Sequence, residues 1–104
     1  MGLPTEDKAR KALPYWTFFT EYFLKAWMAV ANVAIKGNEQ HNPGQPLHWA
    51  REKSTDEADC IARHLIDYLR GEDADRDGVL NLAKVAWRAL ALLERFLDDE
   101  EPGR

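Results

Sequence analysis

The sequence predicts an all-α protein, a small bundle of about three main helices, and three observations carry that expectation. Apolar residues recur at helical spacing in three long segments, no segment alternates apolar and polar residues as a half-buried strand would, and glycines and prolines stand between the segments as boundaries. The chain has 104 residues, which suits one domain, with residues 1–13 as a loose arm and residues 98–104 as an acidic tail.

The first helix is expected from Tyr15 to Lys36, with Pro14 in its first turn, where a missing N–H costs nothing. Phe19, Phe23, Ala26, Val30, Val33 and Ala34 share one face, and Glu21, Lys25, Asn32 and Lys36 share the opposite stripe. Trp16, Phe18, Tyr22, Trp27 and Ile35 widen the apolar arc beyond what one neighbouring helix covers. A helix apolar nearly all round is buried on several sides, so a second subunit is expected against it. Gly37 is expected to end this helix as a left-handed cap.

Residues 38–53 read as irregular, with turns at Asn42-Pro43-Gly44 and Gln45-Pro46. Trp49, His41 and His48 argue against plain disorder there. Ser54 opens the second helix, and Glu57 three residues later completes a capping box. Ala58, Ile61, Ala62, Leu65, Tyr68 and Leu69 form its apolar face, and Gly71 ends it. The acidic turn EDADRDG, residues 72–78, leads to a third helix from about Val79 to Asp98, with Leu82, Ala86, Ala89, Leu93 and Phe96 on its core side. Asn81, Lys84, Arg88 and Arg95 fall on its polar stripe.

Composition narrows the function classes. The net charge of −4 gives nucleic-acid binding no electrostatic support. The single cysteine, Cys60, excludes an intrachain disulfide and suits a reducing cytoplasm. The apolar run Ala26–Ile35 is ten residues long, too short to span a bilayer, so no membrane partner is expected. The N-terminal stretch Met1–Ala12 has no apolar secretory core.

Three constellations offer chemistry. Glu57, Cys60, His64 and Asp67 form one stripe of the second helix, able to hold a divalent cation or to set a base beside one, or else to serve as a polar flank. Lys84 and Arg88, with Asn81 on the same side, suit a polyphosphate, or form a solvated basic face. Asp73, Asp75, Asp77, Gly78, Leu80 and Asn81 occupy positions 1, 3, 5, 6, 8 and 9 of a Ca²⁺ loop, but position 12, which needs a bidentate glutamate, is Lys84. In the alternative, Asp77 caps the third helix. Trp49 either stacks on a nucleobase or plugs the bundle. Cys60, with His64 four residues on, is either a nucleophile or a buried structural thiol, and the structural reading is preferred because no feature of the sequence marks it as activated.

The stretch GNEQHNPG…WAREKSTDEADCIARHLIDYLRGEDADRDGVLNLAKVAWRALALLE resembles the phage-associated dATP/dGTP diphosphohydrolase N-terminal domain family, within the wider MazG-like all-α nucleotide pyrophosphohydrolases. The resemblance covers roughly residues 37–94 and is most specific at Arg63-His64-Leu65, Gly71-Glu72-Asp73…Asp77-Gly78 and Leu82-Ala83 running into Ala89-Leu90. It implies a helical bundle assembled as a homodimer or homotetramer, and hydrolysis of a purine deoxynucleoside triphosphate to monophosphate and pyrophosphate. It also implies Mg²⁺ or Mn²⁺ between facing helices, and a phage or prophage protein working in the host cytoplasm. On that reading His64 and Asp67 bind metal, with Asn81 and Asp77 as further ligands, and Glu57 or Glu21 completes the site or acts as base. Arg63, Lys84 and Arg88 contact phosphates, and His41 and Trp49 close over the nucleoside. MazG-like enzymes carry two adjacent glutamates and a third three residues beyond the second; at that register this chain has Arg63, His64 and Asp67. The next helix should offer a glutamate and an aspartate, and here has Asn81 and Lys84. Lys84 either replaces a metal charge at phosphate or marks a relative without catalysis. The alternatives are a non-catalytic helical interaction protein and a small Ca²⁺-binding module on Asp73, Asp75 and Asp77.

Overall fold

The structure, a computed structural model, describes residues 4–51 and 55–100, the last of these through its backbone only. In chain order the elements are α1 (Asp7–Lys11), α2 (Tyr15–Thr17) running into a π-helical turn (Phe18–Tyr22), α3 (Leu24–His41), α4 (Glu57–Leu69) and α5 (Asn81–Glu100). The protein is all-α, as its periodicity predicts; the described residues contain no strand, only an isolated antiparallel bridge between Ala74 and Leu80. The arm carries the short helix α1, against which no other element packs. No helix of the described residues is long and apolar enough to cross a membrane.

The long first helix expected from the sequence is broken and shifted. Phe18, Phe19, Tyr22 and Phe23 crowd their rings into mutual contact, with Phe18 and Phe23 centroids 5.2 Å apart. Thr20 Oγ1 donates back to the Trp16 carbonyl at 2.9 Å, a bond that bends helices. The backbone answers with a π turn and a kink at Phe23, where φ is −129°. At the other end Gly37 is not a cap: α3 runs through it to His41. The stop is set instead by Asn38, whose side-chain oxygen accepts from the His48 N–H and whose amide donates to the Gln45 carbonyl. One glycine inside a helix costs only about 1 kcal/mol, which these loop contacts offset.

α4 starts at Glu57, with Asp56 in the N-cap position. The expected cap Ser54 lies outside the described residues. Its expected partner Glu57 turns inward to arginines on α5. Gly71, with φ +93°, ends α4 as expected: its N–H bonds the Tyr68 carbonyl and the Glu72 N–H bonds the Asp67 carbonyl, satisfying the last turn. α5 begins two residues later than the sequence suggests, because Asp77 Oδ1 accepts the Val79 N–H in a turn and Leu80 is engaged in the bridge to Ala74.

α5 is central, with α4 on one side and α3 on the other; α3 and α4 do not meet. The facing surfaces invert the expected faces. Among the described residues the buried ones are Glu57, Cys60, Val79, Asn81, Ala83 and Ala91, none of the apolar ones larger than valine. Leu65, Tyr68 and Leu69 of α4 and Leu82, Leu93 and Phe96 of α5, all expected in the core, are exposed. Polar stripes zip α4 to α5, and the apolar faces point outward. Between the aromatic segment and α5 this leaves a trough of about 350 Å³, lined by Phe19, Phe23, Trp27, Val30, Ala89 and Leu93 among others. The chain exposes 8325 Å², whereas a compact monomer of 12.0 kDa exposes roughly 6,000 Å².

Candidate functional site

The α4–α5 hairpin brings its two polar stripes into register. At the turn, the Lys84 ammonium lies 2.8 Å from Asp75 Oδ2 and 2.8 Å from Asp77 Oδ2. The remaining oxygens are engaged by backbone: Asp75 Oδ1 accepts the Arg76 N–H and Asp77 Oδ1 the Val79 N–H. Gly78, at φ +81°, lets the chain reverse between these acids. The Lys84 hydrogen bonds, followed by those backbone donors, hold both carboxyls below their ordinary range. Burial pulls the Lys84 ammonium down, but the two carboxylates outweigh it and its pKa is raised.

One step into the hairpin, His64 Nδ1 stands 2.9 Å from Asn81 Oδ1 and 3.8 Å from Asp75 Oδ2. Asn81 is fully buried; its amide donates to the Glu72 carbonyl at 2.9 Å and its backbone N–H to the Asp73 carbonyl. Its position at the first turn of α5, opposite the last turns of α4, makes it the joint between turn and helices. At the far end Glu57, 1 % exposed, meets Arg88 through Oε1 at 3.3 Å and Arg95 through Oε2 at 2.8 Å. A buried carboxylate tolerates its surroundings when each oxygen has a charged donor.

The other expected site residues are dispersed. Asp67 is half-buried on α4, one turn from His64, and its side chain makes no hydrogen bond among the described residues. Arg63 is exposed and donates to Cys60 Sγ at 3.3 Å; the buried thiol itself contacts Asp56 at 3.5 Å, in keeping with a structural cysteine. Glu21 sits exposed on the π turn, which packs on neither α4 nor α5, so the fold of the chain does not bring it to His64. His41 is exposed at the end of α3. Trp49 packs edge-on against Trp87 at 5.8 Å, with the Arg51 guanidinium 4.6 Å from its ring.

Arg95 and Arg51 carry contacts that the sequence did not assign. Arg95 donates to the Arg51 carbonyl, and Arg51 pairs with Asp98 at 2.8 Å, pinning the end of the loop to the end of α5. The signal available was the Arg88–Arg95 spacing of seven residues, two turns along one face.

Asp75, Asp77 and Asn81, as they are bonded within the chain, do not fit a divalent ion. The Asp75 and Asp77 oxygens are all engaged, both ends of the Asn81 amide are bonded to protein groups, and no three His, Cys, Asp or Glu side chains converge among the described residues. The Lys84 ammonium stands between two of the carboxylates that the Ca²⁺ reading assigns to a cation.

No curated protein and no solved structure matches the sequence at a significant level. The profile of one family, described as "dATP/dGTP diphosphohydrolase, N-terminal", matches residues 4–102 and so includes α1 to α5 and the whole polar seam. By that match the chain belongs to the dATP/dGTP diphosphohydrolase N-terminal domain family.

Proposed function

We propose that the protein hydrolyses a purine deoxynucleoside triphosphate to the monophosphate and pyrophosphate. The observation that supports this most is family membership over residues 4–102, with the His64–Asn81 pair inside the matched segment. His64 and Asp67 would face the reacting phosphate from one edge of α4, and the exposed Arg63 beside them would bind the phosphate oxygens. The test is pyrophosphate release from each dNTP, with and without added Mn²⁺ or Mg²⁺. Purine dNTPs are expected to react, His64→Gln to lower kcat about 100-fold, and Arg63→Ala to raise KM. Absence of turnover with every dNTP under all metal conditions overturns the reading.

One observation favours a second reading. Asp75, Asp77 and Asn81 are saturated by protein partners, as suits a relative that keeps the bundle and has lost the reaction. The same assay separates the two. We also propose that the working form is a homo-oligomer; the outward apolar faces and the surplus of exposed area support it.

A further inference from the structure

Asn81 offers a deduction that needs no hydrogen positions. Its amide has one donor end and one acceptor end. The end facing Glu72 meets a backbone carbonyl, which only accepts, so that end must be the NH₂ group, 2.9 Å away. The other end is therefore Oδ1, which also only accepts, and it lies 2.9 Å from His64 Nδ1. His64 Nδ1 must carry the proton. Neutral His64 is thus the Nδ1–H tautomer, the opposite of the form free histidine favours, and its Nε2 is a bare lone pair. Nε2 has no hydrogen-bond partner among the described residues. The Glu72 carbonyl fixes the orientation of this buried amide, since a flip would set Oδ1 against that oxygen with no proton between them.

We propose that Asn81 is a positioning residue that fixes His64 as the Nδ1–H tautomer, so that His64 Nε2 is the base of this centre. The proposal rests on the hydrolase reading above and names the proton acceptor within it. The oxygen of a water molecule forms a bond to the α-phosphorus while one of its protons passes to Nε2. The bond from that phosphorus to the α–β bridging oxygen breaks, and pyrophosphate leaves with the electron pair. Glu57, the carboxylate first expected as base, faces two guanidinium groups instead.

The direct test is a long-range ¹⁵N–¹H correlation spectrum of the full chain, at a pH where His64 is neutral. The expected result is a protonated-type Nδ1 and an unprotonated-type Nε2 for His64. An Nε2–H pattern in the wild-type chain overturns the proposal whether or not any variant folds. Asn81→Asp keeps an oxygen acceptor and is expected to keep the tautomer, whereas Asn81→Leu removes it and is expected to restore Nε2–H. In the hydrolysis assay Asn81→Leu is expected to lower kcat about 100-fold with little change in KM. An equal kcat in Asn81→Leu with a switched tautomer overturns the base role. If the tautomer is as expected and no dNTP reacts, the hydrolase reading has failed and Asn81 is a structural clamp alone, so the two failures are told apart by the spectrum.

Discussion

Lys84 stands at the position where a cation-binding loop carries its last carboxylate, and it supplies the cation instead. An ammonium on two carboxylates forms two charge-assisted hydrogen bonds, each with one partly exposed partner, so their value is moderate. Lys84→Met keeps the aliphatic stem and leaves Asp75 and Asp77 repelling each other across the turn. It is expected to lower unfolding stability by about 1–3 kcal/mol, read by urea denaturation. The pH dependence follows from the same contacts. Asp75 and Asp77 have depressed folded pKa values, so their stabilisation is fully present above the ordinary carboxylate pKa and is lost as pH falls through the folded values. A drop in Tm is expected below about pH 4, and it should be smaller in Asp75→Asn. Lys84, with its raised pKa, holds its share until strongly alkaline pH. The identity and spacing of Asp75, Asp77 and Lys84 were legible in the sequence. Their union was not, because a loop pattern shows which groups are near each other and not which ion they enclose.

At the scale of the element, each helix end answers to a particular residue. Gly71 needs its left-handed φ, and the sequence marked it correctly. Gly37 was marked on the same grounds and is an interior helical residue, because the contacts of Asn38 with Gln45 and His48 reward continuing the helix by one more turn. A Cβ added at Gly37 meets nothing within 4 Å. Gly37→Ala is therefore expected to raise stability by about 0.5–1 kcal/mol in thermal or urea melts, where a true left-handed cap would be destabilised. The distinction between Gly37 and Gly71 lies in contacts seven and ten residues downstream of Asn38, beyond the reach of a local capping rule. The pairing of Glu57 with Arg95, 38 residues apart, escapes local reading for the same reason. It depends on the register of the whole hairpin.

At the scale of the molecule, the chain is turned partly inside out. α4 and its turn meet α5 through ion pairs and a buried amide, while leucines and aromatic rings line the outside. The exposed area exceeds that of a compact monomer by roughly 2,300 Å², a surplus to which the unpacked arm helix α1 and the outward apolar faces both contribute. A protein of this kind is expected to elute with a mass of at least twice 12.0 kDa in light-scattering chromatography, and its Tm should rise with protein concentration. A monomer that melts cooperatively at micromolar concentration would refute self-association.

The sequence by itself determined the helical class, the glycine that ends α4, the acidic turn and the two polar stripes that the turn brings together, because periodicity and turn chemistry are local properties of the chain. Only the tertiary structure decided which faces are inside. A helical repeat shows that a helix has an apolar side and a polar side, but the choice of which side meets a neighbour depends on all the neighbours at once. Here α5 turns Asn81, Lys84, Arg88 and Arg95 toward α4 and leaves Leu82, Leu93 and Phe96 exposed, since Glu57, His64, Asp75 and Asp77 stand opposite to satisfy the polar groups.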